Sequence, residues 1–370
     1  MMKKVLTIGG ATEDVFLLYK NIEMLNLTTE FEKRSFIILE EGRKIDINEL
    51  KYYTGGGATN SAASFKKLGF SVAPFFKVGN DREAEFIIEQ LATLQLKLDY
   101  IIKDPHAATA ISFIIPTARG DRTVLVYRGA NRFLKEEELP GSALDEADAV
   151  YVTSLTGESS QLLPVITQRA QQHKCSVAVN PGTSQLRAGA DMVREALPNI
   201  DIFILNSTEA RYCMASLIQT DPLLQKSLLT EEQFTANNKL PELLRSTLIH
   251  QGICFGLRHY VKAILNRGPS IAVVTNGAEG VYVATEKKIL FHPSIDTAIV
   301  NTLGAGDAFA SCFVAWLANG QSIEDALRAG ILNATSVISY LDTKTGLLTE
   351  DQLIEKLKHL DKKLLKRFPL

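Results

Sequence analysis

The chain has 370 residues, 46% hydrophobic and 22% charged, with 40 Lys and Arg against 42 Asp and Glu. That balance fits a globular protein and excludes a strongly basic nucleic-acid-binding surface as its main feature. The six histidines lack metal-ligand spacing and the four cysteines form no CxxC, so a reduced, cytoplasmic setting is expected.

The opening MMKKVLTIGG holds only a short apolar run, Val5–Ile8, before Glu13 and Asp14. It reads as a first buried strand rather than a leader. No stretch reaches ~20 uncharged apolar residues, so no membrane span is expected. Further along, short apolar runs alternate with helical patterns. KVLTIGG, SVAPFFKVG, AVYVTSL, SVAVNPG, IDIFILNS, SIAVVTNG and GVYVATE are expected strands. Several are apolar throughout, as parallel strands covered on both faces are. Helices are expected at 60–68, 84–94 and 160–173. The alternation gives an α/β fold, a doubly wound, mostly parallel sheet flanked by helices.

Two segments break this rhythm. Residues 12–54 and 98–130 contain apolar runs without long helices, the second with a hairpin turning at Arg119–Asp121. Both are expected to supply strands of a small β-sheet. Sites in open α/β sheets lie at the carboxyl ends of the strands, so a sheet there would act as a lid. The core is then 1–11, 55–97 and 131–350, with 214–268 as a helical insertion, long for a crossover. Residues 351–370 are expected to form a C-terminal helix.

The chemistry concentrates in NTLGAGDAF, Asn301–Phe309. A Walker loop is excluded, because the sequence has no Gly-Lys pair. A dinucleotide fingerprint needs a small third residue where Phe309 stands, and the strand-ending acid about 20 residues on that would hold a ribose is missing here. A helix N-terminus that binds an anion fits better. Its unpaired N–H groups face outward, Gly and Ala allow a phosphate to approach, and Asp307 stands where a base for an attacking hydroxyl is needed. A second stretch, TGGGATNSAASFKKLG, opens another helix, and Asn60 there can both donate and accept hydrogen bonds.

GGGATNSAASFKKLGFSVAPFFKVG, LNSTEA, VTNGAEGVYV and NTLGAGDAF occur in that order. Together they resemble the ribokinase-like (PfkB) family of carbohydrate kinases, over nearly the whole chain outside 214–268. The resemblance implies a ribokinase-like fold and an ATP-dependent kinase acting on a hydroxyl of a sugar or sugar-like substrate. Asp307 matches the general base, and Gly304, Ala305 and Gly306 match the anion hole. Asn206 and Glu209 match a pair that organises phosphates and Mg2+ largely through water. Thr275, Gly277, Gly280 and Asn333 match the nucleotide side. Asp14, Gly56, Gly57 and Asn60 match the sugar side, where Arg122 and Arg128 could meet a carboxylate or phosphate of the substrate or be plain strand-surface charges. Plainer readings stand beside three of these: Asp14 as a turn cap, Glu209 as a first-turn acid facing the helix dipole, and Asn333 as an ordinary helix residue.

Departures from the pattern matter too. Gly57 replaces the lysine of ribokinases proper, Cys312 stands where Gly or Ala is usual, and Asn301 replaces the usual Asp. Many relatives bind activating potassium through that acid, so a monovalent cation is expected to act only weakly. A homodimer through the lid is implied, with no nucleic-acid or membrane partner. A nucleoside kinase of the same fold and a non-catalytic sugar- or nucleotide-binding protein are the alternatives. A dehydrogenase rests on the glycine loops alone.

Overall fold

The computed structural model describes residues 2–370 except 20–21, 29–32, 118–120, 189, 221–223, 225–238 and 251–252. Its large sheet has nine strands. In spatial order they are Lys366–Pro369, Lys288–His292, Val281–Ala284, Ile271–Thr275, Ile202–Asn206, Ser176–Val179, Ala149–Val152, Lys4–Ile8 and Ser71–Phe75. The last six are parallel and the first three antiparallel. Alternate residues of the parallel strands feed two separate cores. Leu6, Val150 and Val177 belong to one, while Val5, Ala149 and Ala178 belong to the other. Both faces are therefore apolar, which is why these runs do not alternate in sequence.

A second sheet takes its strands from both segments that broke the rhythm. Their order is Arg122–Tyr127, Ala110–Pro116, Thr12–Leu18, Glu49–Gly55. Residues 118–120 of the expected hairpin turn lie outside the described residues. The 12–54 segment also holds a separate hairpin, Glu23–Thr28 with Lys33–Ile38. The backbone passes four times between the large and the small sheet, and these crossings are bonded to one another. Ala58 N–H donates to Gly10 C=O at 3.1 Å, and Ala130 N–H to Ala108 C=O at 2.8 Å. The Asn131 carboxamide grips both backbone groups of Ala11, at 3.1 and 2.9 Å.

Three segments differ from the sequence reading. SVAPFFKVG divides into Ser71–Phe75 in the large sheet and Lys77–Val78, which pairs with Ile102–Lys103. The 214–268 stretch is not wholly helical. Its described part includes a hairpin, Leu248–His250 with Ile253–Phe255, in which Leu248 and Phe255 are buried and Ile249 is exposed, a period of two inside a short apolar run. Residues 221–223 and 225–238 of that stretch lie outside the described residues. At the C-terminus the helix covers only Glu350–His359, and Lys366–Pro369 adds an edge strand to Lys288–His292. An edge position tolerates Pro369, which a central strand would not.

Asn333, expected on the nucleotide side, lies in the interior of helix Ile323–Val337 and is fully buried. Its Nδ2 donates to Ala308 C=O at 2.9 Å, and its Oδ1 accepts from Leu348 N–H at 2.9 Å. The carboxamide ties two packed helices to the following loop. Asn333→Leu leaves the buried Leu348 N–H without its acceptor. It should lower stability by about 1–3 kcal/mol, measured as a shift of the urea midpoint at unchanged slope.

Candidate active site

A cleft of about 770 Å³ opens at the carboxyl ends of the parallel strands. Thr153, Asn180, Asn206 and Thr275, each at or just beyond a strand end, line it, and Gly304–Asp307 forms its inner wall. The chain runs from Lys4–Ile8 to a neighbour on one side, then returns to Ala149–Val152 on the other. The cleft lies beside that reversal, where such sheets have room for a ligand.

Gly304 sits at φ +76° and caps helix Ala305–Ala318. A side chain there would also meet Thr343, with its Cβ 2.7 Å from the threonine's side-chain carbons. The first helical bond runs from Ala308 N–H to Gly304 C=O, at 2.8 Å. The amides before it lack a normal intrahelical acceptor, and open space beside Gly306 leaves the backbone approachable.

Asp307 is half-buried in the first turn of this helix. Its Oδ2 accepts from Asn60 Nδ2 at 2.8 Å. Burial raises its pKa above the ordinary carboxylate value, while the Asn60 bond and the Lys344 charge pull the other way. The oxygen of Asn60 accepts from Thr343 Oγ1 at 2.7 Å and from Lys344 Nζ at 2.8 Å. Lys344 Nζ also donates to Thr54 C=O. Asp14 completes the cluster from the small sheet. It is 5% exposed, accepts from Thr12 Oγ1 at 2.8 Å, and has its pKa raised by burial. Gly55 makes room for it, since a Cβ there would fall 1.9 Å from Asp14 Oδ2.

On the far wall, Asn206 and Glu209 cap helix Ser207–Thr220 reciprocally. Glu209 N–H donates to Asn206 Oδ1 at 2.8 Å, and Asn206 N–H donates to Glu209 Oε2 at 2.9 Å. Thr183 Oγ1 donates to the other Glu209 oxygen at 3.2 Å. Both carboxylate oxygens are thus engaged, which fits contact with a cation through water better than direct ligation. Arg122 reaches into the cleft from the small sheet and donates to Thr302 Oγ1.

Of the residues singled out in the sequence, Gly57, Asn206, Glu209, Thr275, Gly277 and Gly280 stand on the cleft wall with the Gly304–Asp307 turn. Gly56 packs behind it against Gly10, and Asp14 and Asn60 join through the Asp307 cluster. Two do not join. Asn333 is interior, and Arg128 is exposed beyond the end of strand Arg122–Tyr127, outside the cleft wall. The sequence reading missed Thr343 and Lys344. Their only local signal is the turn-forming run LDTKTG, in which Asp342 accepts from the backbone of Lys344 and Thr345, each at 2.7 Å.

The model of the pfkB family carbohydrate kinases matches residues 24–238 and 255–350. Ribokinase of Staphylococcus aureus is 24% identical over 331 residues, 89% of this chain and 91% of that protein. 5-Dehydro-2-deoxygluconokinase of Listeria monocytogenes is 24% identical over 350 residues, 89% of this chain and 98% of that protein. The structure of Arabidopsis thaliana ribokinase complexed with ribose and ATP superposes with a TM-score of 0.71 at 18% identity, covering 97% of this chain and 99% of that one. Among the described residues no helix is long and apolar enough to cross a membrane. The chain belongs to the pfkB family of carbohydrate kinases.

Proposed function

We propose that the protein transfers the γ-phosphoryl group of ATP to a hydroxyl of a sugar or sugar-like alcohol, with Asp307 as the general base. The observation that carries this is the Asp307 carboxylate, fixed by Asn60 and raised in pKa, in the first turn of a helix that a glycine turn leaves open to an anion. The hydroxyl proton passes to Asp307 as the substrate oxygen bonds to the γ-phosphorus. The bond from that phosphorus to the β–γ bridging oxygen breaks, and ADP departs. Amides of the Gly304–Gly306 turn face the charge that develops on the phosphoryl oxygens. Asp14 accepts from substrate hydroxyls. Thr275, Gly277 and Gly280 flank the nucleotide, and Arg122 stands near the phosphates. Mg2+, when bound, offsets phosphate charge, and Asn206 and Glu209 would hold it through water. Cytoplasmic location goes with this reading, ATP being an intracellular substrate.

A panel of sugars, sugar acids and nucleosides, read by ADP release with ATP and Mg2+, tests the class and separates a sugar kinase from a nucleoside kinase. A chain that binds members of the panel without ADP release would be a binding protein instead. With the best acceptor, Asp307→Asn should lower kcat by roughly two to four orders of magnitude. The same change should raise the thermal midpoint at neutral pH. Burial lifts the folded pKa above 3.8, so the folded form holds its proton more tightly and stability falls as pH rises through that window. Asparagine removes the buried charge. Near-parental activity in Asp307→Asn would remove Asp307 from the role.

Monovalent-cation dependence should be weak. The buried Asn301 uses Nδ2 to donate to Leu341 C=O at 2.7 Å and Oδ1 to accept from Leu303 N–H at 3.1 Å. A carboxamide so engaged offers a cation no negative charge, and its oxygen already accepts one hydrogen bond. Asn301→Asp should increase activation, seen as kcat in potassium against tetramethylammonium at fixed ionic strength. A strong potassium requirement in the parent chain contradicts this.

The small sheet is proposed to act as a lid and to pair with a second copy. Leu125, Phe113, Val15 and Tyr52 stand opposite one another across its four strands, and Leu125, Phe113 and Tyr52 are 54%, 40% and 48% exposed. An apolar row of this kind marks an interaction surface. Light scattering at micromolar concentration should give a dimer mass, and Leu125→Glu should reduce it to the monomer. A monomeric parent chain rules the dimer out.

A further inference from the structure

We infer that Lys344 is a positioning residue for the proposed base. Its ammonium and the Thr343 hydroxyl both donate to one oxygen of Asn60, and this fixes which end of that carboxamide faces Asp307. The inference rests on the reading of Asp307 as the base.

The bonds are directional. Asn60 Oδ1 receives Thr343 Oγ1 at 2.7 Å and Lys344 Nζ at 2.8 Å. An ammonium only donates, so the group it meets must be the oxygen and not the amide nitrogen. Turned over, Asn60 would set its NH2 against the ammonium and its oxygen against the Asp307 carboxylate. As built, Nδ2 holds Asp307 Oδ2 at 2.8 Å, which leaves the other carboxylate oxygen for the substrate proton. The Lys344 backbone is held in turn by Asp342, whose Oδ1 accepts from its N–H at 2.7 Å.

The charges agree with this arrangement. Three carboxylates face the ammonium: Asp14 from the small sheet, Asp307 from its helix, and Asp342 from Lys344's own loop. The partners that bond the ammonium are neutral, namely Thr54 C=O, Asn60 Oδ1 and, at 3.5 Å, Thr343 Oγ1. Burial brings Lys344 down to about 8, against the pull of those three acids. Its charge in turn favours the ionised forms of Asp14 and Asp307, which burial alone disfavours. One side chain thus orients the base and favours its ionised form.

The test compares Lys344→Met, Lys344→Arg and Thr343→Val with the parent. It uses the best acceptor from the substrate panel and reads kcat, KM and the pH profile of kcat/KM. Lys344→Met should lower kcat about tenfold to a hundredfold, as expected for a displaced base. The acid limb of kcat/KM should move up by about one pH unit, the loss of a neighbouring opposite charge. Affinity for ATP, measured by calorimetry, should hold. Lys344→Arg should restore the acid limb in part. Thr343→Val removes the second donor and should lower kcat without moving the acid limb. It also carries the test should Lys344→Met not fold. A folded Lys344→Met with parental kcat and acid limb overturns the proposal. So does parental kcat in Thr343→Val when Lys344→Met is unfolded. Inactive Asp307→Asn beside an unchanged Lys344→Met removes this inference alone, whereas active Asp307→Asn removes the base reading beneath it.

Discussion

A carboxylate withdrawn from water must be matched by donors or opposite charge, or it will take up a proton. Asp307 imposes that demand at the foot of its helix, and much of the surrounding structure answers it. Asn60 gives the direct bond, Lys344 a neighbouring positive charge, and the first turn of the helix contributes its positive end. The match is incomplete. Burial outweighs the compensation, and the carboxyl stays above its ordinary pKa. A carboxylate so poised is a stronger proton acceptor than a free one, and the fold bears the cost.

The residues that meet this demand come from distant parts of the chain. Asn60 follows the strand that ends at Gly55, Asp14 lies on the strand beside it, and Thr343 and Lys344 follow the last helix of the core. The parallel sheet makes this possible. It sends every connecting loop on one side to the same edge, and the small sheet returns the chain to that edge. Strand order, more than any local preference, brings three acids and one lysine together.

That division explains what could be read in advance. The parallel strands were legible because burial on two faces leaves an unmistakable composition, as in Val5 and Leu6 serving opposite cores. Asp307 was legible because glycines directly before an acid at a helix start have few structural reasons to exist. Lys366–Pro369 was missed because a short edge strand carries charges and even a proline, and so resembles a helix end. Arg122 and Arg128 look alike in sequence, but one begins its strand and enters the cleft while the other lies past the strand's end. Asn333 shows a deeper limit. A polar residue in an apolar helix is equally suited to a ligand or to a neighbouring backbone, and only the tertiary contacts decide. Lys344 was silent for the same reason, since nothing local to LDTKTG points to Asn60.

The bonded crossings between the two sheets have a mechanical meaning. Ala58 N–H to Gly10 C=O joins the second crossing to the first, the Asn131 carboxamide joins the first to the fourth, and Ala130 N–H to Ala108 C=O joins the fourth to the third. Four threads braced in series do not act as four independent tethers. They form one braced junction, and strain on any of them is shared with those bonded to it. Asp14 lies only three residues past Ala11, just beyond that junction, so the bracing also fixes where the small sheet holds the carboxylate that faces Lys344.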